Sequence, residues 1–207
     1  GFAPELLNNE RGIQLIMEAI RLAGWEPGKD VFLALDVAAS EFYRHGSYYF
    51  MSKKQAWNAS KMIDNFKLWV KKYPIVAIED GLAEDDWANW KILTRELGTK
   101  IALVGDDLFV TNVDRISRGI KEQVGNTVLI KVNQIGTVSE TIAAITLARQ
   151  HHYQIFISHR SGETADTFIA DLAVAVNAEF IKTGSMSRSE RVEKYNRLME
   201  IEDELGM

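Results

Sequence analysis

The chain has 207 residues, 46% of them hydrophobic, with 24 basic and 29 acidic side chains, a net charge of −5 and no cysteine. That is enough apolar material for a substantial core in one domain, or at most two. The lack of a basic block excludes the electrostatic footprint of a nucleic-acid binder, and the lack of cysteine excludes disulfides and thiolate metal sites and fits a reducing cytoplasm.

In chain order, the first predicted element is an amphipathic helix with Ile13, Ile16, Ile20 and Ala23 on its inner face, stopping near Gly24. A continuous apolar run, Val31–Leu35, then predicts a buried strand. The stretch Tyr43–Phe50 predicts a hairpin inserted before a helix that begins around Trp57. Ile75–Ile78 is the second core strand, followed by a helix with Trp87, Trp90, Leu93 and Leu97 on one side before Gly98. Ile101–Val104 and Val128–Ile130 follow as strands, and Thr137 with Glu140 predicts a capping box for a helix to about Ala148. His151 and His152 read as a solvated helix end. Ile155–Ile157 and Phe180–Ile181 complete the strands, and Ser187 and Arg188 open a final charged helix with Val192, Tyr195, Leu198 and Met199 inward. No Pro/Gly/Ser-rich linker interrupts the series, and no apolar run approaches the ~20 residues that span a bilayer. No signal peptide opens the chain. Gly1 in place of an initiating methionine implies sequence upstream. Alternation of this kind predicts an α/β fold with a parallel sheet, either doubly wound or closed as a barrel.

Each strand is followed by a charged residue: Asp36, Glu79, Asp106, Lys131, His159 and Lys182. After the long first interval the spacings are 27, 25, 28 and 23 residues, about one βα unit each. In a (β/α)8 barrel such strand ends ring one cavity, where active sites lie, whereas an open sheet spreads them along an edge. The set therefore favours a barrel. An acidic residue after a strand also caps a following helix, so Asp36 or Asp107 alone would say little. A lysine inside an apolar run, as in "LIKVN" and again in "FIKTG", is harder to explain without a partner.

Three carboxylates without cysteine suit a hard cation such as Mg²⁺, which takes oxygen ligands and keeps positions open for substrate and water. A lysine close to a divalent cation and a second lysine loses its proton more readily and can act as a general base. Base and metal together serve abstraction of a proton next to a carboxylate. The run "FISHRSGET", residues 156–164, adds an imidazole, a guanidinium and a hydroxyl at His159, Arg160 and Ser161, the donors an anionic phosphate needs.

The stretches "LALDVAASEFY", "IEDGLAEDDW", "LVGDDLFVTN", "LIKVNQIGT", "ISHRSGET" and "IKTGSMSRSERVEKYNRL" resemble the enolase (phosphopyruvate hydratase) family, in the family's order and across essentially the whole chain. "IEDG" is more like bacterial members. The resemblance implies a TIM-like (β/α) barrel with about six of eight βα units present. It implies a Mg²⁺-dependent lyase of glycolysis that interconverts 2-phosphoglycerate and phosphoenolpyruvate, in a cytoplasmic homodimer or larger oligomer. By motif, Asp36, Glu79 and Asp106 would be metal ligands, with Asp107 close behind. Lys131 would be the proton acceptor, Arg160 and Ser161 would hold the phosphate, Lys182 would contact the substrate carboxylate, and His159 would line the site. "GFAPEL" is similar to the end of a motif whose glutamate protonates the leaving hydroxyl, which places that acid before Gly1. The resemblance thus treats residues 1–207 as an incomplete C-terminal catalytic barrel, without the N-terminal domain and first barrel strands. Two other readings compete: a related enzyme acting on a non-phosphorylated acid, which gives the phosphate clamp no purpose, and a non-catalytic binding module, for which no surface run stands out.

Overall fold

The computed structural model describes residues 3–50 and 55–206. Packing divides the chain into two compact units that meet in sequence at Leu103 and Val104.

The first unit opens with α1 (Asn9–Leu22), whose N-cap Asn8 accepts from the Arg11 N–H. Ile13, Met17 and Ile20 form its buried stripe. Ile16 and Ala23, expected inside, are exposed; the apolar face is rotated by one position, onto Met17. β1 (Leu33–Asp36) runs parallel to β5 (Ile75–Glu79), with Asp36 opposite Glu79. Between them lie a 3₁₀ turn at Ala39–Phe42 and an antiparallel meander of β2 (Tyr43–Arg44), β3 (Ser47–Phe50) and β4 (Gln55–Trp57). The expected hairpin is there with a third strand, which takes Trp57. The helix that follows, α2 (Ala59–Lys72), starts two residues later behind an Asn58 cap. Its buried residues Ala59, Met62, Ile63 and Phe66 recur at helical spacing. α3 (Trp87–Leu97) buries Trp87, Trp90, Leu93 and Leu97, the face its sequence predicts.

β6 (Ala102–Gly105) carries the division, and the second unit continues from it through α4 (Val113–Glu122), β7 (Thr127–Ile130), the short α5 (Val132–Ile135), α6 (Val138–Gln150), β8 (Gln154–Ser158), α7 (Phe168–Ala175), β9 (Phe180–Lys182) and α8 (Ser189–Leu205). Its strands pair in parallel in the order β6, β7, β8, β9. β7 is buried along its whole length, as a parallel strand covered on both faces must be. Thr137 caps α6, accepting from the Glu140 N–H, while the Glu140 carboxylate accepts from the Thr137 hydroxyl rather than from its backbone. His151 and His152 are exposed at the end of α6. The Phe109 ring fits only because Gly105 and Gly119 lack side chains: a Cβ on either would stand 2.5 Å from it.

α8 departs most from its sequence pattern. Val192, Tyr195 and Leu198 are only half-buried and Met199 is exposed, whereas Arg191 and Lys194 are buried with Ile201. A helix face that reads as solvated is therefore turned inward, because it meets backbone carbonyls rather than an apolar core.

Candidate functional site

Asp36, Glu79, Asp106, Lys131, His159 and Lys182 each lie at, or one residue past, the C-terminal end of a parallel strand, and Asp107 and Arg160 lie two residues past. In the first unit, strand register sets Asp36 beside Glu79, the former exposed and the latter 5% exposed. The next residue, Asp80, is a further buried carboxylate that the sequence reading passed over. It sits in the left-handed region at φ 43°, where aspartate is among the more tolerant residues, and its carbonyl accepts from the Ala39 N–H at 3.1 Å. A cavity of about 840 Å³ also lies in this unit and borders Asp36, but aromatic walls at Phe42, Phe50, Trp57, Phe66 and Trp69 make it a poor receptor for a phosphate.

In the second unit, Asp106 follows β6 and Lys131 follows β7, and the Lys131 ammonium is ion-paired with the Asp106 carboxylate. The Lys131 backbone N–H is fixed by the Thr111 hydroxyl at 3.0 Å, and that hydroxyl donates to Gln134 at 2.9 Å. Thr111 is buried and held at φ 55°, strained for a β-branched residue. Asp107 beside Asp106 is half-buried.

β8 ends at Ser158 opposite Lys182 of β9, and the His159 N–H donates to the Lys182 carbonyl at 2.9 Å. Arg160 donates from its guanidinium to the Asn133 side-chain carbonyl at 3.2 Å, and Ser161 is exposed. The loop is held from beneath. Arg191 donates to the His159 Nδ1 at 2.9 Å, the Arg160 carbonyl at 2.8 Å and the Ser161 carbonyl at 3.0 Å. Lys194 donates to the Thr164 and Glu190 carbonyls and lies 3.5 Å from the Glu163 carboxylate. Glu163 in turn accepts from the Arg160 and Thr164 N–H groups at 2.9 and 3.3 Å. Burial alone would raise the Glu163 carboxyl, but those two backbone donors and Lys194 bring it below the usual carboxylate range. Burial also pushes the His159 imidazole below its ordinary value; the nearby charges of Arg191 and Lys182 act the same way, against a bond to the Thr183 backbone and the charge of Glu163.

Within the second unit, then, Lys131 is brought to Asp106, His159 to Lys182, and Arg160 to the start of α5. Sequence reasoning missed Asp80, Thr111, Asn133, Arg191 and Lys194. The signal for the last two was present as "RVEK", two cations three residues apart and so on one helix face. Among the described residues no helix is long and apolar enough to cross a membrane.

Over residues 1–207 the chain matches the family described as enolase, C-terminal TIM barrel domain. It belongs to that family, which gives it the α/β TIM-barrel fold class and places it among enolase-type lyases.

Proposed function

We propose that this chain carries the catalytic barrel of a phosphopyruvate hydratase, which interconverts 2-phosphoglycerate and phosphoenolpyruvate. The observation that carries the reading is the departure of Lys131 and of the His159–Arg160–Ser161 loop from the same end of two neighbouring parallel strands, β7 and β8, paired in register up to Ile130 and Ile157. The lysine we read as the base and the loop we read as the anion clamp thereby leave the same end of one sheet. Arg160 and Ser161 bind the phosphate, the guanidinium offering paired donors and the hydroxyl a third. Lys131 removes the proton from C2, and Lys182 balances the substrate carboxylate. His159, kept neutral by burial, lines the site without adding charge.

Asp36, Glu79 and Asp106 are the carboxylates we assign to Mg²⁺. The fit is chemical: Asp36 and Glu79 offer only hard oxygen donors, and adjacent strands place them side by side, an arrangement that a cation relieves of repulsion. When bound, the ion offsets the negative charge that gathers on the substrate carboxylate as the C2 proton leaves.

The test is exchange of the C2 proton of 2-phosphoglycerate with deuterated solvent, followed by proton NMR in the whole protein. Lys131→Ala should slow exchange by about 10²-fold or more, the usual contribution of a positioned base. Exchange at the wild-type rate would move the base elsewhere, with Lys182 the next candidate.

A further inference from the structure

The roles above leave out the two buried cations of α8. Arg191 is 8% exposed and Lys194 is fully buried, although lysine and arginine are almost never buried without a purpose their partners reveal. We infer that Arg191 is the positioning residue of the phosphate clamp: its guanidinium sets the tautomer of His159 and fixes the backbone of Arg160 and Ser161, so that their side chains are presented to the anion. This rests on the reading of residues 159–161 as an anion clamp.

Three observations support it. First, a guanidinium has donors and no acceptor, so the 2.9 Å contact requires a lone pair on His159 Nδ1. The ring proton must then sit on Nε2, and protonating Nδ1 would set N–H against N–H. Second, the same guanidinium takes the carbonyls of both clamp residues at 2.8 and 3.0 Å, while Lys194 and Glu163 tie the far end of the loop. A lysine at position 191 would have the charge but not the planar set of donors. Third, the fold makes room for the guanidinium stem. Gly184, at φ +92°, follows β9; a Cβ there would stand 2.7 Å from Arg191 Cδ and 3.1 Å from His159 Cε1. The Tyr195 hydroxyl, from the same helix, donates to the Gly184 carbonyl, and Arg197 fastens α8 to Asp171 of α7 at 2.7 Å. A clamp whose backbone is set in advance loses less freedom when the anion arrives.

The experiment combines ring ¹⁵N NMR of His159 with steady-state kinetics on 2-phosphoglycerate, for wild type, Arg191→Met and Arg191→Lys. The charged groups facing the imidazole are Arg191 from α8, Lys182 from β9 and Glu163 from its own loop, with the Thr183 backbone on the ring. Wild type should show a single tautomer, unprotonated at Nδ1, that persists into acid. In Arg191→Met the ring should exchange between tautomers and titrate at higher pH, and KM should rise about tenfold, the worth of one charge-assisted hydrogen bond, with a smaller change in kcat. Arg191→Lys should recover part of the KM and keep the protein folded if the methionine variant does not. An unchanged His159 spectrum, or a lowered melting temperature with KM untouched, would make Arg191 a mere strut and overturn the proposal. If wild type neither binds nor turns over the phosphorylated substrate, the clamp reading falls and the inference with it, whereas a normal wild type with a tautomer indifferent to Arg191 defeats the inference alone.

Discussion

Two loops that follow parallel strands are pinned in the same way by different chemistry. After β5, the loop 80–86 has its Leu82 and Ala83 carbonyls taken by the Trp90 indole N–H, both at 3.1 Å. The Tyr48 hydroxyl accepts from the Ala83 N–H at 3.1 Å and donates to the Asp86 carboxylate at 2.8 Å. After β8, the loop 159–164 has its carbonyls taken by Arg191 and Lys194. The first set of donors is neutral and aromatic, and Trp90 and Tyr48 are fully buried. They contribute packing area together with hydrogen bonds, and hold the loop whatever lies beside it. The second set is cationic. It holds the loop, and the charge of Arg191 disfavours protonation of His159 and suits the anion we propose for Arg160 and Ser161. A loop that only has to be rigid can be pinned by aromatics; one that also binds charge benefits from pins that carry it.

The comparison breaks most visibly at Trp90. Trp90→Ala should cost about 3–5 kcal/mol of stability, the range for deleting a buried large aromatic side chain. Trp90→Phe should keep most of the packing and lose the donor, leaving two buried carbonyls short for a cost of about 1–3 kcal/mol. Denaturant midpoints followed by circular dichroism measure both. A phenylalanine variant as stable as wild type would show that the indole N–H holds nothing. In the other loop, Lys194→Met should be milder, about 2 kcal/mol, since it removes a charged donor but leaves the Glu163 carboxylate on two backbone N–H groups. Its distinguishing mark is local: amide hydrogen exchange should quicken at residues 160–164 and not at residues 82–86. Uniform loss of protection would mean that Lys194 supports the whole unit rather than the loop.

The helix face that supplies Trp90 was legible in the sequence, but its bonds to the loop 80–86 were not, and neither were the cationic pins of α8. Trp87, Trp90, Leu93 and Leu97 announce a buried face because their partners are apolar, and hydrophobic period registers apolar partners. The core strands were legible as unbroken apolar runs, and the charged residue ending each one marked its C-terminal edge. Arg191 and Lys194 escaped the same test because what they meet is backbone carbonyl, which leaves no mark in the sequence of either partner. Asp80 and Thr111 escaped for a related reason: each is placed by a positive φ and by bonds to the backbone of a distant residue. Ile16 was misplaced because adjacent Ile16 and Met17 satisfy nearly the same helical spacing, and only packing chooses between them. The reaction we propose was never legible in spacing; it rests on the family resemblance.

The smallest effect expected is in pH, and it puts the two loops at opposite ends of the scale. Burial holds the His159 imidazole below its ordinary 6.5, so just under that pH the unfolded chain binds a proton that the folded chain refuses. Stability therefore falls as pH drops through this window. Glu163, also lowered, keeps its full contribution above its ordinary 4.5 and loses it only in stronger acid. Burial raises the Tyr48 phenol far above its ordinary 10, so above that pH the unfolded chain gives up a proton that the folded chain retains, and stability falls as pH rises. The acid-side loss should shrink in Arg191→Met, where the imidazole no longer meets a guanidinium, and the alkaline-side loss should shrink in Tyr48→Phe, where no phenol remains. Urea midpoints in mildly acidic and in alkaline buffers, each variant against wild type, cancel the contributions of the titrating groups common to both. If the Arg191→Met and wild-type curves run parallel below neutral pH, the cationic pin does not act on His159, and the electrostatic half of the contrast between the two loops is lost.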